Sequence, residues 1–289
     1  MTSAAANPPA TPGTGLVRGR LALTVDGVPL DLSVASRAGD GPPVLFLHGF
    51  GGTKEDYADV ALHRALAGRP LIAYDAPGCG ETTCGDLSAV SVPFLVATAQ
   101  AVLAALDVDR FTLVGHSMGG LTALLLADQD PGRVLGFVDV EGNLAPEDCF
   151  LSRQIVSHPH PEPAGFLTEF ADRVWHSGGQ SAALYASGLT HKVRAEAVRP
   201  IFESMVDLSD HGDVLRRFLE LPFPRVFVYG AQNRFLSYLP TLAEGGVELA
   251  EIPHSGHWPM YSNAPELWTR IAQFVNRVST DGAPRSRAS

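Results

Sequence analysis

The sequence predicts an α/β fold, a mostly parallel sheet covered by helices on both faces and interrupted by one long helical insertion. Three observations carry this expectation. Short runs that are apolar at every position alternate with longer segments of helical spacing, the pattern of strands buried on both faces. The alternation stops between Gly142 and Pro222 and then resumes. A Gly-x-Ser-x-Gly pentapeptide stands where one apolar run passes into a helix.

The elements follow in order. Met1 to Gly15 is rich in Ala, Pro, Thr and Gly and carries no charge, so residues 1–18 read as a flexible tail. A secretory leader needs a basic start and an apolar middle, which this segment lacks, and a cytoplasmic location is expected. Leu21–Val25 and Leu30–Val34 flank Asp26-Gly27, a hairpin signal. Val44–Leu47 is a continuous apolar run followed by His48-Gly49-Phe50-Gly51-Gly52. Leu71–Tyr74 is another, ending in Asp75-Ala76-Pro77-Gly78-Cys79-Gly80. Val92–Leu106 has helical spacing, Phe111–Val114 is a third run, and Leu121–Ala127 is again helical. Val134–Val140, Arg225–Tyr229 and Val247–Ile252 supply the remaining runs, and Leu267–Val278 closes the chain as an amphipathic helix. The core therefore spans 19–142 and 223–278, with a tail at 279–289. An unstructured loop the length of 143–222 is uncommon in a compact domain, so that segment is expected to form a helical cap over the carboxyl ends of the strands, where ligands bind in such sheets.

With 45% apolar and 18% charged residues among 289, the chain suits a globular domain with a large core. No apolar stretch approaches the ~18 residues of a membrane span. The net charge of −10 argues against nucleic acid as a partner; a small-molecule substrate is expected, and oligomeric state is not legible. Three cysteines, Cys79, Cys84 and Cys149, form no disulfide framework and read as buried or spectator thiols, with a Cys79–Cys84 bridge as the alternative. No metal-ligand spacing occurs, and the His158-Pro159-His160-Pro161 run reads as a loop.

Chemistry enters at Gly115-His116-Ser117-Met118-Gly119. A serine on a tight strand-to-helix turn lifts its hydroxyl clear of the sheet, at the positive end of the next helix. With this serine, the chain resembles the α/β-hydrolase superfamily over nearly all of residues 20–278. His48-Gly49-Phe50-Gly51 is similar to that family's oxyanion loop. Asp75-Ala76-Pro77-Gly78-Cys79-Gly80 is similar to its D-x-P-G-x-G turn, and Ser255-Gly256-His257 with Pro265-Glu266-Leu267 to its histidine loop and last helix. The resemblance implies a mostly parallel eight-stranded sheet with a lid inserted after the family's sixth strand. It also implies Ser117 as nucleophile, His257 as base, and the backbone N–H groups of Met118 and Phe50 as oxyanion donors. His254 and His116 then read as loop and packing residues, His48 as shaping its loop, and Asp75 as a turn-former.

The acid departs from the pattern. Most members carry it four places into a G-x-x-D after the seventh strand, and here that stretch reads Gly230-Ala231-Gln232-Asn233. The preceding strand ends in Glu141, a placement that resembles the haloalkane dehalogenase branch. Glu141 is the expected acid, with Asp139 or a carboxylate of the lid as alternatives. The dehalogenase and epoxide hydrolase activities themselves use an aspartate nucleophile, and Ser117 disfavours them. Two-step acyl transfer on a carboxylic ester, lactone or thioester of moderately apolar character is the expected reaction, and it needs no cofactor. C–C bond hydrolysis or cofactor-free perhydrolysis is the alternative within the same machinery. A non-catalytic binding protein, with Asn233 marking lost activity, is the alternative outside it.

Overall fold

The computed structural model describes residues 15–155, 158, 162–177 and 179–281. The expected tails lie outside the described residues through 14 and from 282 onward, as do 159–161 of the His-Pro run. Among the described residues nine strands form one sheet: β1 (Val17–Val25), β2 (Val28–Arg37), β3 (Val44–Leu47), β4 (Leu71–Tyr74), β5 (Thr83–Cys84), β6 (Phe111–His116), β7 (Val134–Val140), β8 (Arg225–Gly230) and β9 (Glu248–Ile252). Eight of them lie side by side in the order β1-β2-β4-β3-β6-β7-β8-β9, and the two-residue β5 pairs with β2 off this path. From β4 to β9 the neighbours are parallel, while β2 runs antiparallel to both β1 and β4. The β1–β2 hairpin turns at Asp26 and Gly27, with φ of 48° and 81°, the paired positive angles of a type I′ turn.

Both faces of the parallel strands are buried because successive side chains point to opposite sides. In β3, Leu45 and Leu47 enter the core shared with α1 (Val92–Ala105) and α2 (Met118–Gln129), whereas Val44 and Phe46 enter the core under the final helix. Between β7 and β8 lie α3 (Pro163–His176), α4 (Gln180–Lys192), α5 (Val198–His211) and α6 (Val214–Glu220). The last of these belongs to the flanking layer. Phe218 of α6 meets Phe137 of β7 edge-on at 5.7 Å, and Arg217 reaches Asp128 of α2 at 3.6 Å. After β8 come α7 (Leu239–Glu244), then β9, α8 (Pro259–Ser262) and α9 (Ala264–Asp281). The core thus begins at Val17 and ends with α9, slightly wider than the expected 19–278 at each end. No helix among the described residues is long and apolar enough to cross a membrane.

This strand order brings six loops to one edge of the sheet, those following β3, β4, β6, β7, β8 and β9. The residues expected to carry the chemistry all lie in them.

Candidate active site

Ser117 adopts φ 52° and ψ −119°, a conformation that a non-glycine residue takes only when its surroundings enforce it. The enforcement is visible. Its N–H donates to Val140 O at 3.0 Å, and α2 begins at the next residue. The turn admits no side chain at Gly119, where a Cβ would stand 2.1 Å from Leu47 O. The hydroxyl is thereby fixed above the sheet at the N-terminus of α2.

His257 meets it from the β9–α8 loop, with Nε2 3.1 Å from Ser117 Oγ. His116 Nε2 lies 2.7 Å from the His257 carbonyl and holds that loop. Burial, and then the proximity of His257, push His116 down to about 3. It is therefore neutral and donates its Nε2–H, serving as packing and anchor rather than as a base. His254 is exposed, at φ 57°, as a residue of the loop.

Glu141, at φ 51°, is buried directly after β7. Its Oε1 accepts from Gly230 N–H at 2.6 Å and its Oε2 from Asn233 Nδ2 at 2.8 Å. The same Oε2 lies 3.5 Å from His257 Nδ1. Asn233, at the position where the acid usually stands, therefore touches the carboxylate through a side-chain amide. Sequence reasoning treated Asn233 only as a missing acid, although an amide one strand over from a glutamate could have suggested the pair. Asp139 points elsewhere, into the buried layer beneath Gly120 and Gly142. Burial, with Asp148 and Glu141 nearby, raises its carboxyl well above the usual range.

The loop after β3 is a four-residue turn in which Gly52 N–H donates to Gly49 O at 2.9 Å, with Gly51 at φ 72°. It lies hard against the serine turn, since a Cβ on Gly49 would come within 2.6 Å of His116 Nδ1 and 3.1 Å of Ser117 Cβ. Among the described residues the N–H groups of Phe50 and Met118 meet no acceptor, as the first turn of a helix and a tight loop leave them. His48 shapes this loop. Its Nδ1 contacts Gly49 O at 2.8 Å while Nε2 accepts from Ala76 N–H at 2.9 Å, which makes Nδ1 the protonated nitrogen.

Two features went unread in the sequence. Asp75 accepts Glu81 N–H at 2.9 Å within its own turn, but it also takes Lys54 N–H at 2.8 Å and Lys54 Nζ at 2.9 Å. Both side chains are buried, so this ion pair ties the loop after β3 to the turn after β4. Asp148 lies at the start of the insertion, accepting from Leu144 and Ala145 N–H and from Tyr238 Oη. Burial lifts its carboxyl to about 6.

Ser117 and His257 open onto a cavity of about 30 Å³, walled by Phe50, Phe170, Phe202, Met205 and Trp258. On the Glu141 side of His257 is a second cavity of about 260 Å³ with Asn233, Phe235 and Leu236 in its wall. Phe150 and Asp148 border both. Chemically, the arrangement presents a hydroxyl to an imidazole backed by a carboxylate, with two backbone donors beside it. All three cysteines are free thiols, with Cys79 and Cys149 buried.

A family model described as the alpha/beta hydrolase family matches residues 44–270. The sn-1-specific diacylglycerol lipase ABHD11 of Xenopus laevis is 27% identical over 254 residues, spanning 81% of this chain and 80% of its own. Two solved structures share the fold. A carboxylesterase of Nitrososphaera gargenis superposes with a TM-score of 0.73 at 17% identity, over 90% of this chain and all of the other. The N-acyl homoserine lactonase AidH does so at 0.72 and 18% identity, over 91% of this chain and 98% of its own.

Proposed function

The chain belongs to the alpha/beta hydrolase family, and from that premise we propose that it is a serine hydrolase working through an acyl-enzyme on a carboxylic ester, lactone or thioester with a moderately apolar acyl group. The observation that carries this reading is the 3.1 Å approach of His257 Nε2 to Ser117 Oγ, with Glu141 Oε2 behind Nδ1 at 3.5 Å.

His257 takes the Ser117 proton as Oγ attacks the carbonyl carbon. The developing oxyanion is received by the N–H groups of Phe50 and Met118, each worth ~2.7–4 kcal/mol of barrier in comparable sites. The imidazolium is stabilised by Glu141. It then gives its proton to the leaving alcohol, thiol or the lactone's own oxygen, and in the second half activates water to release the acid. Nothing in this cycle calls for a cofactor. Two considerations support the substrate class. The cavity beside Ser117 is walled by aromatic and aliphatic side chains, and similar proteins include a diacylglycerol lipase and an acyl-homoserine lactonase. The binding-protein reading rested on Asn233 as a lost acid, and the hydrogen bond from Asn233 to Glu141 supports a different part for that residue.

The test is hydrolysis of short-chain p-nitrophenyl esters, thioesters and lactones by wild-type and Ser117→Ala protein. Turnover that falls to background in the variant is expected. Equal rates for the two proteins, or none with any of the three substrate classes, would refute the proposal.

A further inference from the structure

Tyr185 stands on α4 of the insertion, far in sequence from every residue assigned above, yet it reaches two of the loops at once. Its hydroxyl donates to Phe50 O at 2.8 Å. Its ring stacks on Trp258 at 4.6 Å and 26°, and Trp258 follows His257 and meets it edge-on at 5.2 Å. The phenol is buried and borders the same cavity as Ser117.

Phe50 occupies the second place of the Gly49–Gly52 turn, and the positive φ at Gly51 with none at Phe50 makes that turn type II. The peptide joining Phe50 to Gly51 is the one that can flip, since types I and II differ in its orientation. Tyr185 grips that peptide by its oxygen, while the Gly51 N–H at its other end faces the thiol of Cys79. On the opposite side, Gly49 is wedged against His116 and Ser117. The Phe50 N–H itself lies in the preceding Gly49–Phe50 peptide, and it is held because Phe50 is fixed on both sides, by the core at Gly49 and by the insertion at its own carbonyl. Past Tyr185, the end of α4 is strapped to the turn after β4: Lys192 O accepts from Gly80 N–H at 2.7 Å, and Gly78 O accepts from Arg194 N–H at 2.8 Å.

We propose that Tyr185 is a positioning residue for acyl transfer, holding the Phe50 N–H in oxyanion-binding orientation and steadying the histidine loop through Trp258, so that the oxyanion site is complete only while α4 is seated on the core. The inference rests on the serine-hydrolase reading and deepens it. Burial keeps the phenol a neutral donor by pushing it well above its usual value.

Three variants test it on one ester substrate. Tyr185→Phe keeps the ring on Trp258 and removes only the donor. Outright loss of an oxyanion donor lowers kcat ~10²–10³-fold, and loosening one is expected to lower it about tenfold. KM should hold within about twofold, and a trifluoromethyl ketone that mimics the tetrahedral adduct should bind about tenfold more weakly. Replacing Tyr185 by 4-aminophenylalanine restores a donor and is expected to recover most of kcat. Ser117→Ala separates the two claims. If it matches wild type, the serine-hydrolase reading fails and takes this inference with it. If it is inactive while Tyr185→Phe keeps wild-type kcat and ketone affinity, this inference alone is overturned. A loss confined to KM, a Tyr185→Phe protein that does not fold, or no recovery with the amino variant would each overturn it too, by making the role structural.

Discussion

Replacing Glu141 by Gln tests the proposed acid most directly, because the change keeps the shape and removes the charge. The carboxylate lies 3.5 Å from His257 Nδ1, and the two side chains are 4% and 14% exposed. At that distance and an effective dielectric of ~20, a carboxylate stabilises an imidazolium by about 5 kcal/mol, or roughly 10³- to 10⁴-fold in rate. Asn233→Ala removes a different quantity. It takes one hydrogen bond from a charged acceptor, ~1.5–3 kcal/mol if fully expressed, and leaves the charge and the Gly230 N–H in place. We therefore expect kcat/KM on a p-nitrophenyl ester to fall by roughly three to four decades in Glu141→Gln and by at least tenfold less in Asn233→Ala. Both proteins should first be shown to melt cooperatively, so that the loss is not one of folded fraction. Adding Asn233→Asp to Glu141→Gln returns a carboxylate to the neighbouring strand end and is expected to recover part of the rate. Similar small losses in the two single variants would refute the assignment and leave Glu141 a structural residue.

Three other outcomes are expected. Lys54→Met should lower the unfolding free energy by ~3–5 kcal/mol in urea titrations, because it leaves Asp75 buried without its partner; Lys54→Met with Asp75→Asn should regain most of that, and a single-variant loss under 1 kcal/mol would contradict the account. Asp148, lifted to about 6 by burial from the ~3.9 of an unfolded chain, holds its proton longer in the folded state. The stability it contributes is therefore fully present below about pH 4 and lost as pH rises through about 6, on the order of 3 kcal/mol. Wild type should accordingly lose Tm relative to Asp148→Asn between pH 4 and pH 7, and parallel Tm profiles would refute this. Phe150→Ala should join the cavities of about 30 and 260 Å³ and raise kcat/KM for hexanoyl relative to acetyl esters, whereas an unchanged chain-length ratio would show that Phe150 does not divide them.

What could be read from the sequence was local. Strands buried on both faces announce themselves by uninterrupted apolar runs, and the serine turn by glycines two places either side of Ser117, because backbone crowding there excludes side chains. The same holds for Asp26-Gly27, whose positive φ values the residue types foretell. What escaped was tertiary. Lys54 looks like any solvated lysine until β3 and β4 are placed side by side and its ammonium meets Asp75. Helix α6 has the spacing of its cap neighbours, and it takes Phe218 against Phe137 and Arg217 beside Asp128 to assign it to the core layer. Tyr185 carries no signal at all, since a tyrosine on an amphipathic helix is more often packing than contact.

The acid position lies between these extremes. β7 and β8 are parallel neighbours, with Val140 paired to Val228, so side chains leaving the ends of the two strands enter the same space. A carboxylate at the end of β7 must turn back across β8 to reach the histidine, and the left-handed φ of 51° at Glu141 is the backbone's means of doing so. Such a conformation costs of order 1–3 kcal/mol in a non-glycine residue. It is offset here by the grip of Gly230 N–H and Asn233 on the two oxygens. An aspartate at 233 would set two carboxylates about a hydrogen bond's length apart and force one to hold a proton, which would undo the fixed charge that the proposed mechanism needs. Asparagine at that place is thus the condition under which the charge on Glu141 survives: the residue that looked like a deletion in the sequence is one half of the substitute.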